Sequence, residues 1–486
     1  MHDVIPFAAI IVVASVGLLL AIMSSRITAF TQIPSPALFL LGASLAADLF
    51  PDLGSLGIEV DQRIVTVALV VILFDGGMHI GLDRFRPVVG PVLWLGVAGT
   101  FVTAAGLAAV AHVVFGFDWL PALLLGTALA PTDPATVFSV LGRREISGRS
   151  GTLLEGEAGA NDPVGIALMI VILGESGGGL GAVVHGAGEF IVQMTVGIAF
   201  GVVGGYTLRW LLRPLPMPNE ALYPLRIVAV ALLLYGVTTL AHGSGFLAVL
   251  LAGIMIGDTR APYKREIEHF ASGLASLSEI VAFTILGLSI PLSAAFQDGP
   301  LGTALGLAAV LILVVRPLLV GLVLLPIRLR RGERLFVLWS GLKGVVPILL
   351  GTYVVAEGVD DAHRLYAVIF VVVLVSVAVQ GGLVPTLARY WRVPMRVVEP
   401  EPWAMGMRFR DRPEGLHRYV VEQGSPADGA TLRDLPAGED VWVSVVSRGG
   451  RMVQVRGDTT LQVGDEVLAL ASDGDVAAGL FQARPG

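Results

Sequence analysis

Apolar stretches of about 20 residues, the length a helix needs to cross a bilayer, recur along this chain from Val4 to about Tyr390. Only 15% of the residues are charged and 55% are hydrophobic, against about 25% charged in an ordinary globular domain. The pattern predicts a polytopic α-helical membrane domain over 1–392, a linker at 393–415 and a small α+β domain at 416–486. The 60 Gly and 28 Pro would suggest disorder in a soluble chain. Between lipid-embedded helices they mean close packing and broken helices. Cysteine is absent, which excludes thiol catalysis, disulfides, iron–sulfur clusters and Cys-type zinc sites. No Arg or Lys precedes the first apolar stretch, so it reads as a first span rather than a cleaved signal.

Spans are expected at about 4–24, 33–50, 64–80, 88–114, 119–141, 151–174, 182–208, 224–241, 243–257, 274–292, 301–327, 335–355 and 365–388. Thirteen spans put the two termini on opposite sides. Short cytoplasmic loops collect Lys and Arg, and alternate loops here hold eighteen of them, from Arg26 to Arg392. The other set holds only Arg63 and Arg364, beside acids such as Asp52, Asp61 and Asp118. This places the N-terminus outside and the C-terminus in the cytoplasm, in a cell inner (cytoplasmic) membrane. The loop arginines are topology signals first and contacts for anionic lipid second.

Within the spans the polar residues gather in four places. LFDGGMH carries Asp75, and ALAPTDPATV carries Thr132 and Asp133 between Pro131 and Pro134. LEGEAGANDP carries Glu157, Asn161 and Asp162, while Arg316 and Lys343 are the strong cations of two late spans. An ionisable group at bilayer depth costs on the order of 2.5–3.5 kcal/mol on insertion scales, so it is rarely retained without a task. Pro131 and Pro134 break their helix in mid-span, and Gly341, Gly344 and Pro347 interrupt the twelfth span similarly. Broken helices expose amides and carbonyls at half-helix ends, which hold ions in inverted-repeat transporters. The two broken spans are an odd number of spans apart, as an inverted repeat requires.

Glu157 and Asn161, four apart, share a helix face, while Asp162 lies about 100° round from Asn161. Glu157 can thus meet a neighbouring helix, with Arg316 its natural partner, while Asp162 meets a cavity. Burial favours the protonated form of a carboxylic acid and a bound cation favours the ionised form. Proton and cation would then compete for one carboxylate, the minimal chemistry of exchange.

APTDPATV, EGEAGANDPVGIAL, VVRPLLV and SGLKGVVPI, in that order, resemble the cation:proton antiporters of the NhaP and eukaryotic sodium/proton exchanger type. The resemblance runs from about Val4 to Tyr390. It implies an inverted-repeat fold with two broken crossing helices. Asp162 becomes the ion- and proton-carrying carboxylate, with Asn161 beside it and Glu157 with Arg316 as a structural ion pair. Thr132 and Asp133 line the unwound crossing, Asp75 lies near the ion path, and Lys343 supplies the charge of the other broken helix. Asn-Asp in place of Asp-Asp implies electroneutral exchange. Ala158 departs from the pattern, being apolar where several relatives offer a serine hydroxyl. A homodimer is implied, with K+ favoured over Na+, the next candidate, and a role in pH and cation homeostasis.

Beyond Arg392 come a Pro/Glu-rich linker and short alternating runs, HRYVVEQ, EDVWVSVVSRGG, RMVQVRGDTTL and DEVLALAS, which predict a β-rich domain. Gly424-Ser425-Pro426-Ala427, Thr431 to Leu435, Arg448 to Arg451, Arg456 to Thr459 and Gly464-Asp465 resemble the TrkA-C (RCK-C) subdomain. Potassium/proton antiporters of this type often carry that subdomain. It implies dimerisation and a small regulatory ligand, a nucleotide among the possibilities. No resident cofactor or metal, no enzymatic activity and no nucleic-acid partner are expected; the partners are cations, protons and lipid. A ligand-gated potassium channel or uptake subunit would show a TVGYG-like filter, which the sequence lacks. An intramembrane aspartyl hydrolase would need two carboxylates sharing a proton, and Asp133 and Asp258 are poorly placed to partner Asp162.

Overall fold

The computed structural model describes residues 34–50, 57–141, 144–146, 149–174, 180–212, 222–259, 263–296, 300–397, 415–435, 441–449, 451–471 and 474–482, with a few isolated positions. The first expected span and most of the linker lie outside them. Every other expected span has its helix or broken helix. In order these are α1 (Ser35–Leu49), α2 (Ile58–Ile80), the long α3 (Leu82–Val113), α4 (Trp119–Ala128), α5 (Pro134–Leu141) and α6 (Arg149–Gly174). They continue with α7 (Leu180–Leu211), α8 (Leu222–Leu240), α9 (Gly245–Gly257), α10 (Lys264–Leu288) and α11 (Pro300–Val323). The last of the domain are α12 (Arg331–Trp339), α13 (Val345–Ala356) and α14 (Ala362–Tyr390).

Eight of these helices are long and apolar enough to span a membrane. Large apolar side chains such as Tyr206, Trp210, Leu313 and Leu322 face outward from them, while Phe74, Phe283 and Phe370 fill the interior. Small residues allow the closest crossings. Gly253 of α9 faces Gly77 of α2, and a Cβ at either would strike the other helix's backbone. Three helices contain π-helical turns, at Trp94–Ala98, Leu311–Val320 and Ser376–Gly381. Such turns mark places where a helix is bent for a purpose. A two-stranded ribbon pairs β1 (Arg144–Ile146) with β2 (Met395–Val397), so part of the stretch expected as linker is a strand of this domain. The contact pattern divides the chain between Pro400 and Glu401.

The tail contains β3 (Leu416–Val420), β4 (Val441–Arg448), β5 (Arg451–Val453) and β6 (Glu466–Ala471), an antiparallel sheet of order β3-β6-β4-β5, then α15 (Gly474–Phe481). Gly424, Gly449 and Gly464 take positive φ at turns between the strands. Its core is Tyr419, Val446, Leu461, Val467 and Phe481, and among its described residues the one enclosed acid is Asp465, 1% exposed. Arg448 grips Asp465 with Nε and Nη2, each at 2.8 Å, and the Gln462 N–H donates to it at 2.8 Å. Desolvation works against the charge, but the hydrogen bonds from Arg448 and Gln462 prevail and hold the Asp465 carboxyl below its ordinary value. A depressed folded value stabilises the fold fully above the unfolded pKa of about 3.9 and is lost as pH falls through the folded one. The tail's transition in calorimetry of the whole protein is therefore expected to drop below about pH 4. Asp465→Asn should weaken it at pH 7 and remove that acid dependence.

Candidate functional site

The site lies where two broken helices meet. The α4–α5 span unwinds between Ala128 and Pro134, because Pro131 and Pro134 cannot donate to helical carbonyls. The α12–α13 span unwinds between Trp339 and Val345. The Asp133 N–H donates to the Leu342 carbonyl at 2.8 Å, tying the two unwound segments together. Lys343, 1% exposed, donates through Nζ to the carbonyls of Ala130 at 2.9 Å and Pro131 at 3.0 Å. A cation thus caps the carbonyl end of one half-helix, the placement that a helix C-terminus favours. Asp133 complements this at an amide end. It starts α5, accepts from the Thr136 hydroxyl at 2.8 Å and lies against Gly344, where any Cβ would overlap its carboxylate.

Side chains from α14 support the second unwound segment. The Lys343 N–H donates to Ser376 Oγ at 3.0 Å, and that hydroxyl donates to Gln380 Oε1 at 2.8 Å. The Trp339 indole N–H donates to the Gln380 carbonyl at 3.1 Å.

α6 brings three polar residues to the crossing. Asn161 clamps Thr132, accepting its N–H through Oδ1 at 3.2 Å and donating from Nδ2 to its hydroxyl at 2.7 Å. Glu157 points away, to Arg316 Nη2 at 2.9 Å, with both side chains 4% exposed. Arg316 also donates to the carbonyls of Leu338 at 2.8 Å and Val337 at 3.2 Å, where α12 runs out. Its guanidinium lies flat against Gly341, and no other residue leaves room for it there. Asp162 is different. It is 9% exposed and, among the described residues, accepts no hydrogen bond, and its electrostatic neighbours are Asp133 and Lys343. Pro163 follows it, leaving the Gly159 carbonyl without its helical donor.

Asp75 stands apart from this centre, toward the end of α2, where it accepts from Ser272 Oγ of α10 at 3.0 Å, with His79 Nδ1 at 3.4 Å. Sequence reasoning missed Ser376 and Gln380, and it missed Glu279 of α10, whose electrostatic neighbour is Asp133. Glu279 sits well inside the expected tenth span, so an inventory of acids by span finds it. Among the described residues no group of three or more His, Asp or Glu could hold a metal ion.

Two broken helices tied at their unwound segments, with an unpaired carboxylate beside them, define a membrane carrier of the crossed-half-helix class. Residues 11–390 match the family model described as "Sodium/hydrogen exchanger, transmembrane", and residues 416–479 match the TrkA-C domain. The chain is 33% identical to a protein named K(+)/H(+) antiporter NhaP from Alkalimonas amylolytica, over 96% of this chain and 82% of that one. It is 32% identical to the K(+)/H(+) antiporter NhaP2 of Shewanella sp. (strain MR-4), over 97% and 82%. A protein of Pseudomonas aeruginosa named Na(+)/H(+) antiporter NhaP is 27% identical over 68% of this chain and 82% of its own. The solved structure of the sodium proton antiporter MjNhaP1 from Methanocaldococcus jannaschii at pH 8 shares the fold. Its TM-score is 0.66 at 23% identity, covering 79% of this chain and 98% of that one. The chain belongs to the sodium/hydrogen exchanger family. It is a multi-pass membrane protein of the cation/proton antiport type with a C-terminal TrkA-C domain.

Proposed function

We propose that the protein exchanges a monovalent cation for protons by competition at Asp162. The observation that carries this reading is that Asp162 is nine-tenths buried and, among the described residues, accepts no hydrogen bond, beside neighbours whose polar groups are engaged. Asn161 is occupied by Thr132, Lys343 by backbone carbonyls and Glu157 by Arg316. One free carboxylate exchanges one positive charge for another, so the exchange is electroneutral. Thr132 and Asp133 shape the pocket from the crossing, and Asp75 lines the approach from the end of α2.

The cation is K+ before Na+. Supporting this, the relatives named for K+ match the chain along nearly its whole length at 33 and 32% identity. A relative named for Na+ matches 68% of it at 27%. Ala158, one turn before Asp162, offers no side-chain oxygen, which suits an ion that sheds its water easily. The loop arginines support an N-terminus outside and a cytoplasmic C-terminus in the inner membrane, where such exchange serves pH and cation homeostasis. The membrane domain is 1–392 extended by β2 to 397, and the regulatory domain is 416–486. The TrkA-C tail regulates transport in a homodimer and accepts a small ligand such as a nucleotide.

Inside-out vesicles from an antiporter-deficient host, acidified by respiration, test this. Added KCl is expected to release internal protons at lower concentration than NaCl does. Cation entry without proton movement would replace exchange by a channel.

A further inference from the structure

Glu279 is a deep carboxylate that the exchange reading above leaves unused. Its Oε1 is sealed from solvent and has no hydrogen-bond partner, and the acid across from it is Asp133. A carboxylate retained at this depth for structure alone is normally paired, as Glu157 is with Arg316 at 2.9 Å. Among the described residues no cation is an electrostatic neighbour of Glu279. The Lys343 ammonium serves the Ala130 and Pro131 carbonyls, and Arg316 is held by Glu157 and two carbonyls. Asp133 is thus the electrostatic neighbour of both Asp162 and Glu279, while the committed Lys343 ammonium is a neighbour of Asp162. An ion or proton entering beside Glu279 supplies the positive charge that no described side chain brings there.

Position along α10 adds direction. Glu268, Ser272, Ala275 and Glu279 fall on one face by the 3.6-residue period. Glu268 is an electrostatic neighbour of Asp75, and Ser272 donates to it at 3.0 Å. Lys264 lies at the mouth of this face, 3.4 Å from Glu268. From Glu268 to Glu279 the helix rises about 16 Å. Polar groups therefore run from the Asp75 end of α2, the end that loop charge assigns to the cytoplasm, up to the crossing.

We propose that Glu279 sets the affinity for the transported monovalent cation, drawing it along this face and releasing it to Asp162. The proposal rests on the antiport reading. Its role differs from that of Asp162: Glu279 attracts the ion, whereas Asp162 binds ion and proton in turn. Removing its charge raises the concentration of cation needed and leaves turnover at saturation largely in place.

The test is the apparent KM for K+ and Na+, with maximal rate and protein amount, in inside-out vesicles of Glu279→Gln, Glu279→Met and Glu279→Asp. Both neutral variants are expected to raise KM about tenfold, the effect of about 1.4 kcal/mol, while Glu279→Asp recovers most of the affinity. Glu279→Met leaves no polar atom to bury, so it decides the matter should Glu279→Gln fail to insert. Wild-type KM in the neutral variants overturns the proposal. So does a loss of maximal rate at unchanged KM, the mark of a merely structural role. Cation-driven proton movement that is present in wild type but has wild-type KM in the neutral variants sinks this proposal alone. Its absence from wild type sinks the antiport reading, and this proposal with it.

Discussion

Asp162→Asn is expected to bring cation-dependent proton movement down to the background of vesicles lacking the protein, while the protein inserts and melts as wild type does. The substitution keeps the shape of the side chain and removes its charge, its proton and its claim on a cation. No described fold-supporting contact is lost with it, because among the described residues Asp162 accepts no hydrogen bond and contributes to no ion pair. A neutral amide there also spares the cost of holding an ionised acid in the apolar interior. Activity and stability should therefore separate: transport disappears and thermal stability in detergent stays level or rises. Proton flux in vesicles, read with melting of the purified protein, checks both halves.

Arg316→Ala should do the reverse, unfolding first and silencing transport as a consequence. It leaves Glu157, 3% exposed, without its partner, and stranding one partner of a buried pair costs about 3–5 kcal/mol. The carbonyls of Val337 and Leu338 lose their donor as well, at about 1 kcal/mol each. Since those carbonyls end α12, the second unwound segment loosens with them, and Lys343 moves away from Ala130. Pairing the change with Glu157→Leu is expected to recover part of the stability. The recovery is incomplete because the carbonyls remain unserved. Thermal melting of the single and double variants in detergent, set against wild type, measures the coupling.

Which parts of this architecture the sequence discloses follows from the range of the forces involved. Broken helices are a local matter. Pro131, Pro134, Gly341, Gly344 and Pro347 announce the interruptions, and the helices stop at Ala128 and Trp339 and restart at Pro134 and Val345. Helix lengths are less legible, because hydropathy registers the apolar part of a helix and not its polar continuation. α10 begins at Lys264, ten residues before its expected span at 274, since Lys264, Arg265, Glu266 and Glu268 extend it as a charged first turn and more. In the tail, alternation and Gly turns mark all four strands, yet β5 ends at Val453 and the remainder of its run turns back to bridge Thr431 through Thr460.

Partnerships across the fold are the least legible. Nothing in AGANDP states that the Asn161 amide closes on Thr132, which is 29 residues away, or that Ser376 and Gln380 hold the amide of Lys343 in place. Those contacts depend on how helices pack, which pattern and propensity leave open. Glu279 was within reach of reasoning from charge in a membrane, but it lies in an unbroken helix, and attention to Pro and Gly passes over it.

Proton release on cation binding tests the central claim most directly. Purified protein in weakly buffered detergent solution is given K+, or Na+ in a parallel run, and the pH change is followed for wild type and Asp162→Asn. The competition account predicts that wild type releases protons as the cation binds, while the folded Asp162→Asn variant releases none. Equal release from both proteins would contradict it, placing the exchanged proton on another group.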